Sequence, residues 1–166
     1  SIQMLVPMAL LFSLKPHLKN PLLKLIRFAT AITFVCHGLF AIGYYPVPGY
    51  FVDMMIKGFG MTEPTAKDAL LVFGILDFVF AVFIFIPKLA KPALIYGIIW
   101  GFLTALARIT TSFNSDFLEN WFSQYLFEFL VRMGHFGFPL ILLMVSWKKA
   151  ILLFCLKNFL IKGKKA

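Results

Sequence analysis

Charged side chains and cysteines are scarce in this sequence of 166 residues. Only 14% of the residues are charged, against about a quarter in a typical soluble domain. The two cysteines, Cys36 and Cys155, are too few for a disulfide framework, and we expect both to be small apolar side chains. The sequence also has no nucleotide-binding motif. These absences exclude a disulfide-rich secreted domain and argue against a soluble enzyme.

Apolar residues are abundant instead. The hydrophobic set makes up 61% of the chain and includes 21 phenylalanines, more than a soluble core of this size could bury. Four stretches are long enough to cross a bilayer, which takes about 17–25 mostly apolar residues. Because backbone groups in lipid must bond internally, the stretches are predicted as helices. The fold class predicted is all-α: a polytopic transmembrane four-helix bundle over residues 25–147, with spans at about 25–45, 68–86, 92–108 and 121–147.

Basic residues give the bundle an orientation. The loops on one side contain only two basic residues, Lys57 and Lys67, and they contain most of the acidic residues. The side that holds both termini is strongly basic, so the positive-inside rule predicts cytoplasmic termini. The membrane is expected to be a bacterial inner membrane. The net charge of +9 then favours contact with anionic lipids, not with nucleic acid. We expect residues 1–24 to form an interfacial segment and residues 148–166 to form a basic interfacial tail.

Three ionisable residues are predicted to share one depth in the membrane. From a rise of about 1.5 Å per residue, His37 and Asp77 lie about 15 Å from the cytoplasmic edge, and His135 lies about 18 Å from it. A charge at mid-bilayer costs at least about 2.5–3.5 kcal/mol, so Asp77 must find a donor, bind a proton or face water. Trp100 is too deep for an interfacial belt and is expected to fill bundle space or to form a ligand wall. Two interpretations stay open for this level: a structural pairing, or ligand binding and proton handling.

A second polar group is predicted nearer the outer face. It comprises Arg108 on the third span with Glu128 and Arg132 on the fourth. Glu128 and Arg132 are four residues apart and can pair on one helix. The remaining positive charge would suit an anionic ligand, a lipid headgroup or an acid on a partner chain.

Small residues mark the helix faces that are expected to pack. Gly38 lies on the first span and Gly74 on the second, and small residues recur every fourth position on the third. Such patterns let helices approach closely in membranes. The third-span residues are Gly97, Gly101 and Ala105.

Two cofactor hypotheses follow from the histidines. A b-type haem could be held between His37 and His135 if the two faced each other. A metal site from these histidines and Asp77 has suitable ligand types. However, no close-spaced motif such as His-x-x-x-His supports it, so no metal is predicted.

Part of the chain resembles a known family. The first span has the pattern Arg27-x9-His37-Gly38, followed by the link FVDMMIKGFGM and by LLVFGILDFVFAVFIFIP, which contains Gly74-x-x-Asp77. Over residues 25–108 this is similar to the DoxX-like membrane proteins, where Glu stands at the position of Asp77. The resemblance implies a four-helix membrane bundle and, for some relatives, thiosulfate or quinone redox chemistry.

The leading functional hypothesis is a small integral membrane subunit with a buried His/Asp site, accessory to a larger membrane assembly that is redox-linked. Its expected partners are the lipid bilayer and other membrane subunits. One alternative is an oxidoreductase subunit that binds a quinone between His37, Asp77 and Trp100, or a haem. The other is a small-molecule or proton carrier that uses the same level as a relay.

Overall fold

The computed structural model describes residues 19–44, 46 and 49–163. The predicted N-terminal interfacial segment, up to residue 18, lies outside these residues, as do the side chains of the predicted basic tail. The described part is helical and contains no strand. Its elements in chain order are α1 (Lys19–Ala41), α2 (Gly49–Phe59), α3 (Glu63–Phe83), α4 (Ala90–Thr111), a 3₁₀ turn (Ser115–Phe117) and α5 (Leu118–Gly163).

Three segments of these helices are long and apolar enough to cross a membrane: Asn20–Ala41, Ala90–Thr111 and Ser115–Ser146. They correspond to the first, third and fourth predicted spans and support an integral membrane protein. The second predicted span falls on α3. Every 18-residue stretch of α3 contains at least the three charged residues Lys67, Asp68 and Asp77, and α3 is not among these segments.

Two helix ends differ from the prediction. We expected the first span to reach residue 45, but α1 ends at Ala41 because Gly43 turns the chain with a φ of 80°. We expected the last span to end at residue 147, but the backbone of α5 stays helical to Gly163 over 46 residues. At 1.5 Å per residue this helix is about 70 Å long, about twice the thickness of the hydrocarbon layer, so part of it lies beyond that layer.

The main core lies where α1, α3, α4 and α5 meet. Helix α1 packs against α3 and α5, and α4 packs against α5. Phe80 of α3 is the centre of this core: it is 2% exposed and its ring lies 4.1 Å from that of Phe34 on α1. Leu94 of α4 and Phe138 of α5 complete the cluster.

A smaller core lies beneath α2. The sequence of α2 is apolar with isolated charges, which is also typical of a helix that lies along a membrane interface. Its Val52 and Met55 pack on Ala66 and Leu70 of α3, and α2 also touches α4. The helix therefore covers the end of the bundle next to His37. At the start of α3, Lys67 donates to Glu63 at 2.6 Å and holds the pKa of this exposed carboxyl below its usual range.

The outward faces of the helices are apolar. Phe28 of α1, Val82 of α3 and Ile99 of α4 are all more than half exposed. So much large apolar surface on one small chain fits contact with lipid.

Candidate functional site

Asp77 joins three helices through two hydrogen bonds. Its Oδ2 accepts from His37 Nδ1 of α1 at 2.7 Å, and its Oδ1 accepts from the Tyr96 hydroxyl of α4 at 3.1 Å. The residue is completely buried. A carboxylate so far from water needs donors, and the two bonds supply them.

Glycines bring the backbones of α1 and α3 together next to this pair. A Cβ at Gly38 would lie 2.8 Å from the Gly74 carbonyl oxygen, and a Cβ at Gly74 would lie 3.0 Å from the Gly38 carbonyl oxygen. No real side chain tolerates such distances without movement. The absence of both side chains therefore allows His37 and Asp77 to meet at hydrogen-bond distance.

The small residues of α4 make similar contacts. A Cβ at Gly97 would lie 2.5 Å from the Phe80 ring, and one at Gly101 would lie 2.9 Å from the carbonyl oxygen of His135. That carbonyl lacks its usual helical donor, because the residue four positions on is Pro139. Ala105 is completely buried. This helix face thus brings α4 against both α3 and α5.

His37 is held in one orientation. Its Nδ1 donates to Asp77, which leaves Nε2 as the acceptor of the neutral ring. Its ring packs against Phe51 of α2, with the centroids 5.1 Å apart. The side chain is 17% exposed, whereas that of Asp77 is not exposed at all.

A cavity of about 200 Å³ lies beside His37 and is lined by residues of all five helices, α1 to α5. Apolar side chains form most of its wall. The polar side chains are few, and they include His37 and Arg132. The apolar and small residues of the lining are Phe51, Met54, Met55, Gly58, Phe59, Leu70, Leu103, Leu106 and Ala107.

Trp100 lines this cavity and has an unmet hydrogen-bonding requirement. Its ring stacks on Phe73 at 4.1 Å. Its Nε1–H is buried and has no partner within the described part of the chain. An unsatisfied buried donor costs about 1–3 kcal/mol, and because Nε1 has almost no accessible surface, a ligand in the cavity reaches it only if the Trp100 side chain moves.

His135 lies at the same level as His37 but does not form a haem site with it. Its Nδ1 donates to the Arg132 carbonyl at 3.1 Å. The two histidines line a gap of only about 10 Å³, room for about one water molecule. A porphyrin does not fit between them. The described residues also hold no group of three His, Cys, Asp or Glu side chains that could bind a metal ion.

The outer polar group is arranged differently from the prediction. Glu128 pairs with Arg108 across the α4–α5 interface, with 3.4 Å between Oε2 and NH1. The expected Glu128–Arg132 pair is not among the ion pairs of the described residues, because the carboxylate faces α4. Arg108 is 7% exposed and lies over the Tyr50 ring at 5.2 Å. Arg132 is left to line the cavity, without an ion-pair partner in the described ranges.

Sequence reasoning missed two contributors. Tyr96 was not singled out, although a tyrosine deep in a span needs an acceptor for its hydroxyl and Asp77 is the nearby acid. The contribution of α2 to the cavity wall was also missed, because nothing in its sequence shows which side it packs on. Comparisons of the chain with protein-family models, with curated proteins and with solved structures find no match. The DoxX-like resemblance therefore stays a prediction that rests on the residues quoted for it.

Proposed function

We propose that this chain is a four-span integral membrane protein whose cavity binds a quinone-class ring, and that it serves as the membrane subunit of a redox-linked assembly. The observation that carries the proposal is a cavity of about 200 Å³ next to the His37–Asp77 pair. Its wall includes the Trp100 ring and a guanidinium on Arg132 that no described acid pairs with.

The fourth span in this proposal is α3. Three charged residues of α3 lower its mean hydropathy. Of these, Asp77 is buried and hydrogen-bonded, while Lys67 and Asp68 lie near the outer end of the helix. Its exposed large side chains between these charges and the following turn are apolar at helical spacing. They are Leu71, Val72, Ile75, Leu76, Val79 and Val82. Such a helix suits lipid on one side and a polar contact on the other.

The lysine distribution supports cytoplasmic termini. The short turn at residues 84–89 would then lie on the same side as the start of α1, and α2 would lie on the outer side. The resemblance to DoxX-like proteins favours the bacterial inner membrane. In this arrangement the cavity lies between mid-bilayer and the outer surface, where a lipid-soluble ligand could enter from the membrane.

The size of the cavity limits the ligand to a single ring. A protein cavity of about 150 Å³ binds benzene, so about 200 Å³ accommodates one six-membered ring with small substituents. A quinone head fits this description, and its two oxygens accept hydrogen bonds. The charged donor among the lining residues is the Arg132 guanidinium.

His37 is the residue suited to handle a proton at this ligand. Because Asp77 holds Nδ1, the proton that His37 gains or loses is at Nε2. A bound quinone would supply the capacity to take up two electrons and two protons, and a partner subunit would supply the electrons.

Binding can be measured through the fluorescence of Trp100. In a variant with Trp121→Phe and Trp147→Phe, Trp100 is the only tryptophan, and a short-chain benzoquinone should quench it with saturation. Ala107→Phe places a ring in the cavity and should abolish quenching. Val82→Phe adds similar bulk on the lipid-facing side and should leave it unchanged.

Three results would contradict the proposal. Quenching that rises linearly without saturation would mean collision in the micelle. Equal quenching in the Ala107→Phe variant would place the ring elsewhere. Displacement of the quinone by a long-chain carboxylate at lower concentration would identify an acid as the preferred ligand.

A further inference from the structure

A second cavity lies at the opposite end of the bundle, where α1 and α5 begin to separate. It measures about 420 Å³ and is more polar than the cavity beside His37. Lys24 and Arg27 of α1 contribute two cations, and Asn20 and Ser146 contribute polar groups. It shares no lining residue with the first cavity.

No acid of this chain lies near these cations in sequence. The seven acidic residues all fall between Asp53 and Glu128, so α1 and the second half of α5 contain none. The ion pairs of the described residues accordingly do not involve Lys24 or Arg27. Lys24 is exposed and Arg27 is half-buried, so the groove presents two cations without a counter-charge that an anion from outside the chain can reach.

The apolar part of the groove identifies the kind of anion. Leu23, Leu142 and Val145 line it together with the cations. Leu142 is buried and Val145 is half-buried. A free anion would use only the charged rim, whereas a lipid would place its phosphate on the cations and its first acyl carbons on the leucines and the valine.

We propose that this groove binds one anionic phospholipid through its phosphate. Lys24 and Arg27 hold the phosphate oxygens, and the neighbouring apolar side chains contact the chain below the glycerol. With cytoplasmic termini the lipid belongs to the inner leaflet, but the chemistry of the groove does not depend on that orientation. Basic pockets between membrane helices are suited to such headgroups.

The test measures lipid retention by the purified full chain. Native mass spectrometry from a detergent micelle titrated with phosphatidylglycerol should show one lipid bound more tightly than phosphatidylcholine. The double variant Lys24→Gln/Arg27→Gln should lose about thirtyfold in affinity, because each basic side chain near an anionic surface contributes about fivefold. The control Lys57→Gln/Lys67→Gln removes the same charge from the other side and should bind as the wild type does.

Four outcomes decide the proposal. Selectivity of the wild type for phosphatidylglycerol, lost only in the Lys24/Arg27 variant, supports it. Equal affinity of the wild type for the two lipids overturns it, whether or not the variants fold. Equal loss in both double variants also overturns it, because the effect would then be general charge. If inorganic phosphate displaces phosphatidylglycerol at an equal concentration, the groove binds free phosphate, and the proposal of a lipid site is overturned.

Discussion

The hydrogen bond from Tyr96 to Asp77 should contribute measurably to the stability of the bundle. Tyr96→Phe deletes only the hydroxyl that donates to Oδ1 at 3.1 Å. Hydrogen bonds between membrane helices contribute about 0.6 kcal/mol on average and at most about 1.7 kcal/mol. Because Asp77 is completely buried, we expect a loss of about 1–1.7 kcal/mol, a factor of about 5–18 in the unfolding equilibrium.

A double-mutant cycle separates this bond from general packing. Asp77→Ala removes the acceptor. It also leaves a small cavity, but this cavity is the same whether residue 96 is Tyr or Phe. In that background Tyr96→Phe should cost nothing, or should stabilise by a few tenths of a kcal/mol because the hydroxyl no longer has an acceptor.

The free energy of unfolding can be measured by steric trapping in mixed micelles. Tyr125→Phe is the control, because the Tyr125 hydroxyl has no hydrogen bond among the described residues, and it should be nearly neutral. If Tyr96→Phe costs the same with Asp77 as with Ala at that position, the hydroxyl does not bond to the carboxylate. The account of the three-helix junction would then be wrong.

Two further predictions use the same assay. Gly38→Ala should lower the free energy of unfolding by about 1–3 kcal/mol, because the new Cβ would lie 2.8 Å from a backbone oxygen. The control Gly137→Ala places its Cβ in open space and should raise the free energy of unfolding by up to about 1 kcal/mol. Equal effects of the two substitutions would contradict the close approach of α1 and α3. Glu128→Gln should lower the free energy of unfolding by about 1–3 kcal/mol, because it leaves Arg108 without its counter-charge. The control Glu63→Gln alters an exposed ion pair and should change the free energy of unfolding by less than about 1 kcal/mol. Similar losses in both variants would contradict a stabilising Arg108–Glu128 pair.

The depth of polar residues was the most informative feature of the sequence. From the sequence, His37 and Asp77 were predicted to lie ten residues from the same membrane edge on antiparallel helices, and therefore at one level. The structure places their side chains 2.7 Å apart. Small residues at Gly38 and Gly74 indicated a close approach, and the two backbones meet there. Helical periodicity and the distance of a residue from the end of its span are enough for such inferences, because each can be read from a single helix.

Features that depend on the rotation of one helix against another could not be predicted in this way. Spacing on α5 suggested a Glu128–Arg132 pair, but the approach of α4 offers Arg108 instead. Tyr96 became a partner of Asp77 only through the packing of α4 on α3. The end of α1 depends on the φ angle of one residue, Gly43, whereas the sequence showed a stronger stop at the prolines that follow.

The cavity could not be predicted at all from the sequence. It forms because α2 folds back over the bundle, and α2 is an apolar segment with isolated charges that could equally lie flat on the membrane. Once α2 is in place, Phe51 and Met55 close the space beside His37. The functional proposal therefore depends more on the position of α2 than on any motif.

The most direct test of the central claim is the position of a brominated benzoquinone in crystals of the protein, found by the anomalous scattering of bromine. The account predicts a bromine peak inside the cavity between His37 and Arg132, with the ring in contact with the Trp100 side chain. Bromine peaks only on the lipid-facing surfaces of α3 or α5, with the cavity empty or filled by side chains, would contradict it.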